Sequence, residues 1–369
     1  MSKTLIYDLS PQELEAQLQS LGQPSFRIRQ IQEGLYHKLY AYFDDFENVP
    51  KDLRSKLDDL FLINPLSVEK ILKSRDGNTE KILFKCLDGS LIETVLMRFD
   101  RRNSLCVSTQ VGCPMGCVFC STGQMGFQRN LSSGEILAQV IHFQRLMHTE
   151  GEAVRNIVYM GMGEPLLNYD RMSKSLLALS DPERLGIGSR KITVSTVGVL
   201  PKIARFGEDH PQVNLAISLH APNDELRSQL LPANRIYPLR ALMKACSDYL
   251  EATHRKLTFE YALIDGVNDT PELAQEFAEL VKGMLCIVNL ITLNPSKDYP
   301  TPGSSKGKVE AFRQILVDNG VQVTVRLRRG LEINAGCGQL ASPVSLPAQR
   351  ISNSPDIIAT DGKRFQQMA

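Results

Sequence analysis

Three cysteines fall within eight residues, Cys113-Pro-Met-Gly-Cys117-Val-Phe-Cys120, and the small, polar run Ser121-Thr122-Gly123 follows at once. Three thiolates packed this closely can hold an iron–sulfur cluster, which ordinarily takes four ligands. One iron would then lack a protein ligand and offer an open position to a small molecule. The amino and carboxylate groups of a methionine derivative suit such a position. The same residues also fit a structural zinc site with Cys106 as the fourth thiolate, because zinc closes a four-ligand shell and tolerates varied spacing.

Two more positions carry groups able to do chemistry. Cys337 stands between Gly336 and Gly338. A cysteine flanked by glycines suits a loop that swings toward a substrate better than a core, so Cys337 is a candidate nucleophile. Arg326, Arg328 and Arg329, just before it, could hold a phosphate backbone near that thiol. Glu93 interrupts the apolar residues Leu91-Ile92 and Val95-Leu96-Met97. If buried, its carboxyl would have a raised pKa and could accept a proton; on the polar side of a sheet it would meet only water.

These groups need a fold to position them. With 369 residues, 43% hydrophobic and 22% charged, the chain can bury a full core as one large domain with smaller additions. No stretch approaches the roughly 18 unbroken apolar residues of a membrane span. The N-terminus Met1-Ser2-Lys3-Thr4-Leu5 has no signal-peptide apolar region, so a cytoplasmic protein without membrane contact is expected. Eight cysteines in a reducing compartment are no disulfide framework, and clustered ones suggest metal. The net charge of +1 announces no nucleic-acid partner, so any such binding must use local basic patches.

Ser10-Pro11-Gln12-Glu13 is a capping box with proline at the first helical position, and Leu14, Leu18 and Leu21 follow at helical spacing. Helical patterns continue over 26–43 and 50–61, giving a helical accessory domain over 1–64 whose Arg27, Arg29, Lys38, Lys51, Arg54 and Lys56 are available to a solvent face. Three runs, 68–73, 81–87 and 91–99, joined by Asp76-Gly77 and Asp88-Gly89, predict a β-meander linker over 65–100. From Leu105 onward, strands at 105–109, 156–160, 191–196, 213–219, 257–263, 286–292 and 321–327 alternate with amphipathic segments near 132–148, 169–180, 199–206, 237–252, 270–282 and 305–319. Six βα units over 101–340 predict an α/β fold, a partial (βα)6 TIM-type barrel left open. Residues 341–369 predict a weakly ordered tail.

The unusual residues each fall just after a strand: the cysteine loop, Gly161-Met162-Gly163-Glu164-Pro165, Ser195-Thr196, Ser218-Leu219-His220 and Asn294-Pro295. That edge is the active-site face of parallel α/β barrels. Gly163 would let backbone approach a charged ligand and Glu164 would meet an ammonium.

The cysteine spacing resembles that of the radical S-adenosylmethionine (SAM) enzymes. Residues 91–134, with Glu93-Thr94-Val95, Leu105-Cys106-Val107-Ser108, Gln110-Val111-Gly112-Cys113, Phe119-Cys120-Ser121-Thr122 and Gly126-Phe127-Gln128-Arg129-Asn130-Leu131, are similar to the RlmN/Cfr family of radical SAM RNA methyltransferases. So are Gly161–Pro165, Ser218-Leu219-His220-Ala221-Pro222-Asn223 and Cys337-Gly338-Gln339-Leu340, and the resemblance runs over most of residues 10–341. The chain departs from the family at Ala335-Gly336, where Ala-Ala is common, and over Ser296–Gly303.

This resemblance implies methylation of an adenine ring carbon in RNA. For the RlmN branch that is carbon 2 of one adenosine in large-subunit (23S) rRNA and of one beside the anticodon in certain tRNAs; the Cfr branch methylates carbon 8. It further implies that Cys113, Cys117 and Cys120 hold a 4Fe-4S cluster, and that Gly163, Glu164, Ser195, Ser218, Leu219, His220 and Asn294 surround SAM. Cys337 would carry the methyl group, Cys106 would resolve a covalent RNA–protein intermediate by forming a disulfide, and Glu93 would accept the ring proton. Because an aromatic amidine carbon is not nucleophilic, one SAM would methylate Cys337 and a second would yield the radical that activates that methyl group. A monomer supplied with electrons by a donor such as flavodoxin is expected. From a different class, a zinc-stabilised RNA-binding protein without catalysis fits the cysteines alone.

Overall fold

The computed structural model describes residues 3–326 and 328–341; the tail expected over 341–369 lies, past Ala341, outside the described residues. The N-terminal module opens with β1 (Thr4–Leu5), which pairs in parallel with β2 (Phe61–Leu62) and so joins the module's two ends. Between them α1 (Pro11–Ser20) is capped as its sequence dictates. Ser10 Oγ accepts the Glu13 N–H at 3.1 Å, Glu13 Oε2 accepts the Ser10 N–H at 2.6 Å, and Leu14 and Leu18 are buried.

The helix predicted over 26–43 is shorter. α2 (Phe26–Gln32) passes into one wide turn over Glu33–His37, and Leu39 then takes a left-handed φ of 56°. Asp45 Oδ2 accepts the Ala41 and Tyr42 amides at 3.0 and 2.9 Å, offering the backbone a partner that competes with helix. α3 (Lys51–Leu60) buries Leu53 and Leu57 and leaves Lys51 and Lys56 exposed. Arg27 and Arg54 instead donate to the carbonyls of Asn48 and Asp44.

The meander consists of β3 (Leu66–Lys73), β4 (Thr79–Cys86) and β5 (Leu91–Phe99). β5 pairs antiparallel with β6 (Arg102–Cys106), so the meander extends the central sheet. A small hairpin that the sequence did not announce, β7 (Gln110–Gly112) against β8 (Phe127–Asn130), brackets the cysteine loop, which ends in the single turn α4 (Ser121–Gln124).

Strands and helices then alternate: α5 (Ser133–Thr149), β9 (Val154–Tyr159), α6 (Tyr169–Ser180), β10 (Ile192–Thr196), α7 (Leu200–Asp209), β11 (Asn214–Ser218), α8 (Asp224–Leu230), α9 (Leu239–Thr253), β12 (Leu257–Leu263), α10 (Pro271–Leu280), β13 (Cys286–Thr292), α11 (Lys306–Asp318) and β14 (Val323–Arg326). The ten-stranded sheet has the order β14-β13-β12-β11-β10-β9-β6-β5-β4-β3. From β6 to β14 every pairing is parallel, as in the predicted βα units, and β14 and β3 are the two edges of an open barrel. α8 was not anticipated; at seven residues it is too short to show a period, but Asn223 caps it by accepting the Leu226 N–H at 2.9 Å. Core side chains such as Val194, Leu215, Ile217, Phe259 and Val288 are fully buried, so the C-terminal ends of these strands are held as one rigid rim.

Candidate active site

That rim surrounds a cavity of about 150 Å³ that opens to solvent. Cys113, Cys117 and Cys120 form one wall. Burial raises all three thiols, with the neighbouring cysteine as the next contribution for Cys113 and Cys117, so as free groups they stay protonated. A bound iron would reverse that preference, since coordination deprotonates a thiol. Nowhere among the described residues do three His, Cys, Asp or Glu side chains converge as a single metal ion requires.

The loop after β9 forms the next wall with Gly161, Gly163 and Glu164. Gly163 has φ 104°, and a Cβ there would sit 2.6 Å from the Gln110 side chain, so no other residue fits. Gln110 is fully buried and accepts the Glu164 N–H at 2.8 Å, fixing this turn against β7. Both Glu164 oxygens are used: Oε1 accepts the Leu166 N–H and Oε2 the Val197 N–H, each at 3.0 Å. Burial nevertheless pushes its carboxyl up to about 7. A ligand ammonium placed there would favour the ionised form.

Ser195 and Ser218, at the ends of β10 and β11, line the cavity with their hydroxyls 3.3 Å apart. His220 also lines it, in the left-handed region at φ 60°. Its Nδ1 accepts the Ala262 N–H at 2.9 Å, which leaves the proton on Nε2, and burial pushes the ring down to about 3. His220 is therefore both a satisfied structural histidine and a neutral donor facing the cavity. Behind it Arg227, fully buried on α8, donates to Asn234 Oδ1 and to the Val197 carbonyl at 2.7 Å each. Leu219 is buried in the core, its N–H donating to the Glu260 carbonyl at 3.0 Å and its carbonyl accepting from Arg227 Nε at 3.2 Å. Asn294 lies beside the Cys337 loop, where any side chain at Gly336 would collide with its amide; its buried Oδ1 has no partner among the described residues. An acceptor left open beside the cavity fits a ligand donor.

Cys337 is exposed and lies on the cavity wall. Its loop is tied to the cysteine loop by the Ser121 N–H donating to the Gly338 carbonyl at 2.7 Å and by Thr122 Oγ1 donating to the Leu340 carbonyl at 2.6 Å. Arg326, expected to point at a phosphate backbone, turns inward instead. Its Nη1 reaches Met160 Sδ at 3.7 Å, Cys337 Sγ at 3.9 Å and Glu260 Oε2 at 3.9 Å. Arg329 stacks on Phe99 at 4.4 Å, and Arg328 donates to the Leu293 carbonyl. The Cys106 thiol is pushed up to about 12, by burial first and by the nearby Cys337 next, with Arg326 opposing. Glu93 is buried, not water-facing: its Oε1 pairs with Lys81 Nζ at 2.8 Å and its Oε2 accepts the Ala341 N–H at 2.9 Å. Burial raises its pKa, with Lys81 opposing. Glu93, Cys106, Leu219 and Asn294 stand outside the cavity wall, whereas the other sequence-derived site residues line it. Sequence reasoning missed Glu260, which lies within the apolar strand β12, and Gln110 and Lys81, whose roles depend on pairing partners far along the chain.

Residues 107–278 match the family model of the radical SAM superfamily, and residues 4–63 match that of the ribosomal RNA large subunit methyltransferase N-terminal domain. A probable dual-specificity RNA methyltransferase RlmN of Halalkalibacterium halodurans is 48% identical, over 91% of this chain and 92% of that protein. The chain belongs to the RlmN family of radical SAM RNA methyltransferases. An RlmN of the same description from Chloroflexus aurantiacus is 44% identical over 95% of this chain and 96% of its own length. The crystal structure of a radical SAM methyltransferase from Sphaerobacter thermophilus superposes with a TM-score of 0.90 at 46% identity, covering 91% of this chain and 99% of that one. The RlmN fold thus accounts for the open barrel and its rim. The radical SAM superfamily implies a 4Fe-4S cluster and SAM, and the buried thiols, the unpartnered Asn294 acceptor and the Glu164 carboxyl fit both. No helix among the described residues is long and apolar enough to cross a membrane.

Proposed function

We propose that the chain methylates carbon 2 of an adenine in large-subunit rRNA and in a subset of tRNAs, by way of a methyl group carried on Cys337. The observation that carries this reading is the pairing of two thiols at one guanidinium: Arg326 faces Cys337 at 3.9 Å and bears on Cys106. Ordinary methyl transfer has no use for a second cysteine there. Relatives described as dual-specificity RNA methyltransferases, 44% and 48% identical, support RNA methylation with more than one kind of substrate.

Cys113, Cys117 and Cys120 would hold the cluster, and Gly163, Glu164, Ser195, Ser218, His220 and Asn294, with the Leu219 backbone, would surround SAM. When bound, these groups supply the one-electron chemistry that a ring carbon with no nucleophilic character requires. The chain's own residues do the rest. Cys337 accepts a methyl group on sulfur and stays bound to the carbon it delivers. Glu93, whose proton affinity burial raises with Lys81 opposing, takes the ring proton. Cys106, once deprotonated, then attacks the Cys337 sulfur: the S–S bond forms as the S–C bond breaks. The delivered carbon keeps the bonding pair and takes up a proton to become the methyl group, freeing the RNA. The helical domain over 1–64, with Arg29, Lys51 and Lys56 exposed, would serve as the RNA-facing accessory. The cytoplasm would supply RNA and a reductant such as flavodoxin to a monomeric enzyme.

Mass spectrometry of nucleosides from a strain lacking the gene, with and without the gene restored, tests this. Restoration of 2-methyladenosine in both rRNA and tRNA is expected. Restoration of 8-methyladenosine would move the chain to the Cfr branch, and restoration of neither would refute the reading.

A further inference from the structure

Lys81 is a buried ammonium, 6% exposed, on β4. It is diagonal to Glu93 in the antiparallel β4–β5 register, in which Leu83 faces Glu93, so both side chains leave the same face of the sheet. Its Nζ makes two contacts, to Glu93 Oε1 at 2.8 Å and to the Asn334 carbonyl at 2.9 Å. The other oxygen of Glu93 accepts the Ala341 N–H at 2.9 Å. Asn334 and Ala341 are the two shoulders of the loop that carries Cys337. A single ion pair on neighbouring strands therefore grips both ends of that loop.

A buried ion pair is a poor device for stability, because desolvation offsets most of its attraction. It is an effective device for register, since each group demands a partner at a fixed place. Asn334 needs such fixing: it turns the chain at a left-handed φ of 50°, within a turn closed by the Ala335 N–H to the Gly330 carbonyl at 2.9 Å.

We infer that Lys81 is a positioning residue: through Glu93 and Asn334 it holds the proton acceptor and the Cys337 loop in one register. The inference rests on Cys337 as the methyl carrier and Glu93 as the acceptor. It adds a coupling to them. The charge that Lys81 grips is the charge a ring proton would quench, and a neutral Glu93 holds both Lys81 and the Ala341 amide more weakly. Proton uptake thus loosens the loop at the stage when Cys106 must reach the Cys337 sulfur.

Amide hydrogen exchange of the full-length protein, free of RNA, reads the grip directly. In Lys81→Met, exchange over 334–341 should rise about tenfold while β12 is unchanged. Glu93→Gln, a neutral mimic of the protonated acceptor, should loosen the loop as much, and Lys81→Arg, which keeps the charge and the donors, should restore protection. Wild-type protection in Lys81→Met, or equal loosening in Lys81→Arg, would overturn the inference. Should Lys81→Met fail to fold, the double variant Lys81→Met/Glu93→Gln replaces the ion pair by a neutral one. It must be as loose as Glu93→Gln, and a protected loop in it would overturn the inference equally. In turnover, Lys81→Met should lose kcat with KM for RNA nearly kept, since the register of the loop matters after RNA has bound. Because loop exchange is read without RNA, a failed grip is distinguishable from a failed assignment of Cys337.

Discussion

Arg326 Nη1 lies 3.9 Å from Cys337 Sγ, and the same nitrogen lies 3.9 Å from Glu260 Oε2. One guanidinium thus stands between the Glu260 carboxyl and the Cys337 sulfur, and its N–H groups face that sulfur. Arg326→Met removes that contact and should change the rate at which iodoacetamide alkylates Cys337 about tenfold, with Arg326→Lys in between. Peptide mass spectrometry of timed samples measures it. An unchanged rate would reduce Arg326 to packing.

Cys117 is the middle thiol of the proposed cluster wall. Cys117→Ala should abolish cluster binding, because two remaining thiolates are too few to fix the irons, while the fold largely survives. Iron and sulfide analysis of anaerobically isolated protein checks this. Wild-type content in the variant would contradict the assignment.

Glu164 gives a pH signature. Its folded pKa of about 7 stands above the ordinary carboxyl value of 4.5, so between these values the folded state binds more protons than the unfolded one. Stability contributed by this group is present below about pH 4.5 and lost as pH rises toward about 7, for a total on the order of 3 kcal/mol. In cluster-free protein, the stability difference between wild type and Glu164→Gln should drift by that sign across the window, as read by urea denaturation. A difference that is flat with pH, or of opposite slope, would show that Glu164 is ionised throughout.

The alternation of strand and helix from β6 to β14 was legible because each strand is a short apolar run followed by a polar or glycine-rich loop. The rim residues were legible for the same reason: Gly163, Glu164, Ser195, Ser218 and His220 interrupt the pattern just past a strand. What depends on pairing across the chain was not legible. Glu93 could face water or core until the β4–β5 register set Lys81 beside it. Arg326 belongs to a basic run, and only the end of β14 shows its side chain turned toward Cys337 rather than outward. The β7–β8 hairpin has no tight turn to announce it, because the whole cysteine loop lies between its strands. Helix 26–43 was over-read because the apolar period persists while Asp45 captures the Ala41 and Tyr42 amides.

The sequential action of two thiols is the centre of the account, and trapping tests it most directly. Cys106→Ala should still accept the methyl group on Cys337 and join it to the adenine, yet lack the thiolate that attacks the Cys337 sulfur. Cys337→Ala should form no adduct at all. Denaturing electrophoresis of each variant expressed in cells, with RNase digestion of any retarded band, is the measurement. The account predicts an RNase-sensitive protein–RNA adduct in Cys106→Ala alone. Loss of activity in both variants with RNA trapped by neither would contradict it.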